Sequence, residues 1–79
     1  MTERRGSIRH RTLKPGTIVL PNGGAISCTI RNLSETGAGV EVESSVGLPE
    51  VFDLLMGGDE PRHCKVARRN VRRLGVSFT

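Results

Sequence analysis

The residues of this sequence best suited to ligand chemistry are three arginines near its start, Arg4, Arg5 and Arg9. A guanidinium group presents two parallel N–H donors in one plane, so it can bind two neighbouring acceptors of a phosphate or of a base edge. Arg5 and Arg9 lie four positions apart in a segment without helical or strand periodicity. One can therefore bind a phosphate while the other binds, or stacks on, a base.

A second polar cluster follows the second predicted strand. Asn32 and Ser34 are two positions apart, so at a strand end their side chains point the same way, where an amide and a hydroxyl can read the edge of a base. We expect Gly37 to supply a backbone conformation that redirects the chain. The structural alternative is a turn in which Asn32 and Ser34 cap local backbone groups.

Length and composition limit the chain to one small domain. Its 79 residues can form a single core, and with 35% hydrophobic and 3% aromatic residues that core must be largely aliphatic. The formal net charge of +4 suggests an anionic partner. No apolar run approaches the length of a membrane span, and the first residues are charged, so we expect a cytoplasmic protein that does not insert into membranes.

The cysteines and histidines show no spacing typical of metal sites or catalysis. Cys28 and Cys64 lack a CxxC or Cys/His pattern, so we expect two small, buried, reduced side chains. His10 and His63 have no partner at catalytic or metal-ligand spacing. We therefore predict no metal, no cofactor and no enzymatic activity.

Alternating hydrophobicity predicts six short strands. Residues 17–20 form a β-rich run that ends at residues 21–24, where Asn-Gly favours the positive φ angles of a tight hairpin. The next segment alternates Ile26, Cys28 and Ile30 with polar residues, which continues an antiparallel meander. Further strands are predicted around Val40 and Val42, over residues 51–56, around residues 63–67 and over residues 74–78.

Strands about ten residues apart, with no helical segment between them, favour an all-β antiparallel barrel that closes on itself. Because residues 1–15 are polar and basic, we predict that they form a flexible N-terminal arm. Residues 16–79 are predicted to form the barrel as a single domain.

The two polar clusters, taken in order, resemble the signature of the PilZ domain family. That signature is RxxxR, here Arg5–Arg9 preceded by Arg4, followed by [D/N]xSxxG, here Asn32–Gly37. The segment Leu74–Phe78 is similar to the last strand of the family. The resemblance spans nearly the whole chain and implies a six-stranded PilZ-type β-barrel.

The resemblance also implies a ligand, the bacterial second messenger cyclic di-GMP, held between the arm and the barrel rim. The residues that it assigns to this ligand are Arg4, Arg5, Arg9, Asn32, Ser34 and Gly37. In the family an arginine at the position of Arg4 often accompanies binding of a ligand dimer. Family members commonly carry a helix after the last strand, whereas this sequence ends at Thr79, which leads us to expect an open barrel end or an oligomer interface.

The mechanism that we predict is ordering of the arm over the bound dinucleotide, which alters the surface shown to a downstream protein partner. One alternative is a basic small barrel that binds nucleic acid. Such proteins place aromatic residues on the binding face, whereas the only aromatic residues here, Phe52 and Phe78, are at core-like positions. A second alternative is a ligand-free PilZ adaptor that acts through protein contacts; the intact motifs argue against it.

Overall fold

The structure is a computed structural model that describes residues 10–58 and 60–79, with His10 described for its backbone only. The described residues form six strands and no helix. The strands are β1 (His10–Val19), β2 (Ala25–Leu33), β3 (Gly37–Glu41), β4 (Val51–Leu55), β5 (Arg62–Arg69) and β6 (Arg73–Phe78).

The strands form a closed barrel in the order β1-β2-β3-β6-β5-β4, with every neighbouring pair antiparallel. Strands β1, β2 and β3 are sequential neighbours, which confirms the predicted meander. Strand β4 pairs back to β1 through Thr17, Ile18 and Val19. The prediction of an all-β, six-stranded antiparallel barrel is therefore confirmed.

The core lies inside the barrel and follows the period-two pattern of the sequence. In β2, Cys28 and Ile30 are buried while Ser27 between Ile26 and Cys28 is exposed. Strand β6 behaves likewise, with Leu74 and Val76 buried. Because successive side chains of a strand point to opposite faces, burial of one face is sufficient to fix which residues point inward. The buried hydrophobic residues are Ile18, Cys28, Ile30, Ala38, Val40, Val42, Leu48, Phe52, Leu54, Met56, Cys64, Leu74 and Val76.

The predicted hairpin between β1 and β2 is confirmed, with a different turn conformation. The Gly23 N–H donates to the Leu20 carbonyl at 2.9 Å, and the Leu20 N–H donates to the Gly24 carbonyl at 2.7 Å. Gly23 has a φ of 97°, whereas Asn22 does not adopt a positive φ. The Asn22 carboxamide oxygen instead accepts the Gly24 N–H at 2.8 Å, so the loop has three residues with glycine in the left-handed position.

The predicted boundary between arm and barrel at residues 15 and 16 is wrong, because β1 begins at His10. Arg11, Lys14 and Pro15 pair with β2. Pro15 suggested that no strand includes this position. At Pro15, however, β1 has no described partner on the β4 side, because pairing with β4 starts only at Thr17. Proline has no backbone N–H to donate. At a strand edge without a neighbour, this loss removes no hydrogen bond between strands. The rest of the predicted arm, residues 1–9, lies outside the described residues.

Both cysteines are free and buried, as predicted, with 8% of Cys28 and 0% of Cys64 exposed. Burial raises the pKa of each thiol from 9.0 to about 11, because removal from water disfavours the thiolate. For Cys64 the nearby Arg62 opposes this shift in pKa without reversing it. The two side chains therefore act as small apolar groups in the core.

We predict that these thiols make the stability of the barrel decrease at alkaline pH. Their folded pKa is raised above the unfolded value, so their contribution is complete below pH 9 and is lost as the pH rises to about 11. Urea unfolding across this range should show a steeper loss of stability for the natural protein than for the Cys28→Ala/Cys64→Ala variant. Parallel pH profiles for the two proteins would contradict the assignment.

Candidate ligand-binding site

A transverse row of residues crosses five neighbouring strands of the barrel. Directly paired residues of antiparallel strands lie on the same face of a sheet. The row is defined by consecutive pairs: Arg11 with Asn32, Asn32 with Gly39, Gly39 with Gly75, and Gly75 with Arg68. We call these five residues the transverse row.

The transverse row lies on the outer wall of the barrel. Gly39 stands between Ala38 and Val40, whose side chains are buried in the core. Gly75 stands between Leu74 and Val76, which are also buried. Because strand side chains alternate, both glycines face outward and contribute no side chain at the centre of the row. The backbone is uncovered at Gly75, whereas the Asn32 side chain covers Gly39.

Three irregularities in strand register lie beside the transverse row. They fall between Arg11 and Lys14 in β1, between Ile30 and Asn32 in β2, and between Val66 and Arg68 in β5. A β-bulge turns the side chains next to it and bends its strand, and bulges are frequent beside binding sites. All three irregularities lie at one level of the barrel, which makes this part of the wall a candidate for a binding site.

The part of the transverse row from Asn32 to Arg68 lies along a groove of about 460 Å³. The Asn32 carboxamide lies over Gly39 so closely that a Cβ at position 39 would be 2.6 Å from its Nδ2 atom. At the other side, Arg68 borders Gly75. The floor is thus bare backbone at Gly75, with the Asn32 carboxamide over Gly39 on one side and Arg68 on the other, which suits a planar aromatic base with polar edges. The groove is lined by Asn32, Gly39, Ala67, Arg68, Gly75, Val76 and Ser77.

On the other side of Asn32 lies a second depression, also of about 460 Å³, that is rich in arginine. Arg31 in this depression forms an ion pair with Glu41 at 2.8 Å. Arg11 and Arg73 form no ion pair with any residue that the structure describes. Their guanidinium groups are therefore available to an anion such as a phosphate. The depression is lined by Arg11, Thr12, Leu13, Arg31, Asn32 and Arg73.

Of the predicted site residues, Asn32 lies at the junction of the two depressions, whereas Ser34 is buried in the turn after β2. The Ser34 hydroxyl accepts the N–H groups of Gly37 at 3.2 Å and of Thr36 at 3.3 Å. For Ser34 the structure therefore shows the capping interactions of the structural alternative. Arg4, Arg5 and Arg9 lie outside the described residues.

Gly37 is required for a different reason from the one expected. Its φ is not positive, so it does not supply a special backbone conformation. Instead, Gly37 pairs with Ser77 across β3 and β6, and a Cβ at position 37 would overlap the Val76 carbonyl oxygen. Glycine at this position allows β6 to approach β3 and thereby holds the transverse row together.

Sequence reasoning missed Gly39 and Gly75, and it assigned no role to Arg68 or Arg73. Arginines in a hairpin are usually solvated, and nothing local indicates which residue lies opposite them. The only available signal was glycine at outward positions of two predicted strands, which often marks a close approach of a ligand to the backbone.

Among the described residues, no group of three or more His, Cys, Asp or Glu side chains could hold a metal ion. The same part of the chain contains no helix of the length and apolarity that a membrane span requires.

The described residues thus form a small antiparallel barrel with an arginine-bordered groove on its outer wall. A family model described as PilZ domain matches residues 3–79, and the chain belongs to this family. A search of curated proteins gave no match. PilZ domains are binding and effector domains and are generally receptors for cyclic di-GMP.

We predict that Gly37→Ala destabilises the barrel by about 1–3 kcal/mol, because the added methyl group forces β3 away from β6. Urea unfolding measures the change. Gly58→Ala is the matched control, since a Cβ there meets nothing within 4 Å and its φ is not positive. If the Gly37→Ala and natural proteins have equal free energies of unfolding, the close approach of β3 and β6 at this position does not contribute to stability.

A second prediction concerns Ser34→Ala. Loss of the hydroxyl leaves the Thr36 and Gly37 N–H groups without this acceptor, so the ligand-free barrel should lose about 1 kcal/mol of unfolding free energy. Ser27→Ala serves as the control, because Ser27 is exposed and its hydroxyl has no hydrogen bond to the described residues. If thermal unfolding in the absence of ligand does not distinguish the two variants, the capping role of Ser34 is wrong.

Proposed function

We propose that this protein is a cyclic di-GMP receptor without catalytic activity, and that it binds the dinucleotide along the transverse row. The observation that carries the proposal is the junction at Asn32 of a flat, glycine-floored groove with an arginine-lined depression. Cyclic di-GMP contains two guanines and two phosphates, so it requires sites of both kinds next to each other. A base without a phosphate, or a free phosphate, would use only one of the two kinds of site.

In the proposed complex, one guanine lies flat on Gly75, beside the Asn32 carboxamide that covers Gly39. Guanine presents O6 and N7 as adjacent acceptors, which match the paired donors of the Arg68 guanidinium at one end of the groove. At the other end, Asn32 has an amide that can both donate to and accept from the guanine edge. The phosphates then lie toward Arg11 and Arg73, where two cations without described ion-pair partners compensate their charge.

The N-terminal arginines complete the proposed site, since the chain enters the barrel at the row itself. Arg11 is in the transverse row, and β1 begins one residue before it. An extended chain spans up to about 3.5 Å per residue, so Arg9 is tethered within about 7 Å of Arg11 and Arg5 within about 21 Å. This tether is compatible with contact of Arg4, Arg5 and Arg9 with the exposed side of the dinucleotide.

Signalling in this proposal follows from ordering of the N-terminal arm. Arginines that bind the ligand fix the segment that carries them, and the free energy of ligand binding offsets the entropy that the segment loses. The surface around the start of β1 then differs between the free and bound states. A downstream protein can distinguish the two states through that surface.

The described residues give little support to single-stranded nucleic acid as the ligand. Proteins of that class stack successive bases on exposed aromatic rings. Here Phe52 is only 2% exposed, and Phe78 lies under the Arg62 guanidinium at 4.1 Å from the ring centroid. A ligand-free adaptor role is distinguished from the proposal by the binding experiment below.

We predict that Gly75→Ala weakens cyclic di-GMP binding by at least about tenfold, or about 1.4 kcal/mol. The added methyl group occupies the groove floor, whereas within the barrel it meets only the Arg68 Cβ at 3.4 Å, so the variant should fold. Isothermal titration calorimetry gives the affinity and the number of ligands bound.

A further prediction concerns the N-terminal arginines. Arg5→Ala and Arg9→Ala should abolish the rise in melting temperature that the ligand causes.

Gly58→Ala is again the matched control and should bind like the natural protein, because Gly58 does not line the groove and a Cβ there meets nothing within 4 Å. Absence of binding to the natural protein would favour the adaptor alternative. Unchanged binding by Gly75→Ala would place the ligand elsewhere on the barrel.

A further inference from the structure

The loop after β3 and the turn between β5 and β6 are held together at one end of the barrel. The Ser45 N–H donates to the Val71 carbonyl at 2.8 Å, and the Ser45 hydroxyl donates to the Asn70 carbonyl at 2.6 Å. A third hydrogen bond joins the Val42 N–H to the Arg72 carbonyl at 2.9 Å. Since the two loops satisfy each other's backbone groups, they present one fixed surface.

Two valines are exposed on this surface. Val46 is 85% and Val71 is 71% exposed, although each is next to, or part of, the Ser45–Val71 hydrogen bond. Isolated exposed apolar side chains are common, but these two lie on loops whose backbones are hydrogen-bonded to each other. We therefore take Val46 and Val71 as the apolar centre of the surface. Burial of this centre against a partner would remove apolar area from water without first ordering a mobile loop.

Arginines border the two valines. The Arg69 guanidinium donates to the Ser45 carbonyl at 2.8 Å and lies 3.5 Å from a carboxylate oxygen of Glu50, which fixes its position. Arg72 is exposed and forms no ion pair with the residues that the structure describes. We call the surface formed by Val46, Val71, Arg69 and Arg72 the arginine–valine tip.

A cleft of about 620 Å³ begins at Arg72 of the arginine–valine tip, and its lining also includes Glu43 and the ion pair of Arg31 with Glu41. A partner that enters the cleft therefore keeps its carboxylates at the Arg72 end. Arg72 forms part of one wall of the cleft, and β2 forms the other. In this part of β2, Ser27 pairs with Thr17 of β1 only, because pairing of β2 with β3 starts at Thr29. A bound segment can therefore extend from the tip along an unpaired strand edge.

We propose that the arginine–valine tip is a docking surface for a protein segment that carries apolar side chains flanked by carboxylates. An apolar centre with arginines at its border matches the composition of protein interfaces. Arg69 is already held by Ser45 and Glu50, but the Arg72 guanidinium can pair with a carboxylate in two parallel hydrogen bonds, which favours an acidic partner. Two valines without an aromatic residue provide neither a bilayer anchor nor a platform for stacked bases.

The arginine–valine tip is distinct from the proposed dinucleotide site. Arg72 and Val71 are absent from the lining of both depressions at the transverse row. Both surfaces nevertheless use the β5–β6 hairpin, because Arg68 and Gly75 belong to it as well. Arg31 lines both the cleft and the arginine-rich depression, so a segment that fills the whole cleft reaches the border of the proposed dinucleotide site. The docking proposal does not depend on the identity of the ligand.

The test uses isotope-labelled protein without dinucleotide and a short helical peptide with leucines on one face and glutamates beside them. Nuclear magnetic resonance should show shifts concentrated at residues 44–47 and 69–73. Arg72→Glu should weaken peptide binding by about tenfold or more, and Val71→Ser should weaken it as well. Lys65→Glu makes the same change in net charge at another exposed position of β5 and should leave the affinity unchanged.

Several outcomes would overturn the proposal. One is the absence of shifts with the acidic peptide, and another is equal binding of a peptide with lysines in place of its glutamates. An equal loss of affinity in Lys65→Glu would indicate nonspecific charge attraction. Binding of anionic phospholipid vesicles or single-stranded RNA at the tip, without binding of the peptide, would assign the surface to that partner. Arg72→Glu should retain cyclic di-GMP binding, which separates failure of this proposal from failure of the receptor function.

Discussion

The pairing of β3 with β6 is the constraint on which the rest of this structure depends. It joins the meander of β1, β2 and β3 to the second half of the chain, and its register places Gly39 opposite Gly75. The approach is so close at Gly37 that no side chain fits against the Val76 carbonyl. Closure of the barrel and construction of the proposed ligand groove are therefore consequences of the same contact.

This constraint explains why the groove has a backbone floor. Glycines at two paired, outward positions remove side chains from the outer wall without affecting the core, because the buried residues on either side still point inward. The bulges in β1, β2 and β5 then turn the polar side chains at the borders of the groove. A site of this kind needs no internal cavity, which a barrel of this size, filled by its own side chains, would not have.

Much of the fold could be predicted from the sequence, because it depends on local signals. The period-two alternation of Ile26, Cys28 and Ile30 identified a strand and its buried face, and Asn22-Gly23 identified a hairpin. The start of β1 could not be predicted, since polar residues and Pro15 are compatible both with an arm and with a strand that has one neighbour.

The site could be predicted only in part. Asn32 was identified from its motif, and the structure places it between the two depressions. Gly75 and Arg68 could not be identified, because their positions depend on the register between strands that are distant in sequence. The role of Gly37 was misjudged for the same reason: its requirement lies in a neighbouring strand and not in its own dihedral angles.

The two proposed surfaces give the β5–β6 hairpin a central place in the function of the domain. Arg68 and Gly75 border the dinucleotide groove, while Val71 and Arg72 lie at the tip between them. A ligand that contacts the hairpin can thus affect a partner bound at its tip through a single element. Ordering of the N-terminal arm would act on a different part of the barrel, near the start of β1.

The most direct test of the central claim is a crystal structure of the protein with cyclic di-GMP. The account predicts that a guanine ring lies over Gly75, with its edges bonded to Asn32 and Arg68. It also predicts that at least one phosphate lies beside Arg11 or Arg73. A dinucleotide bound on the opposite wall, against β4, with the transverse row uncovered, would contradict it.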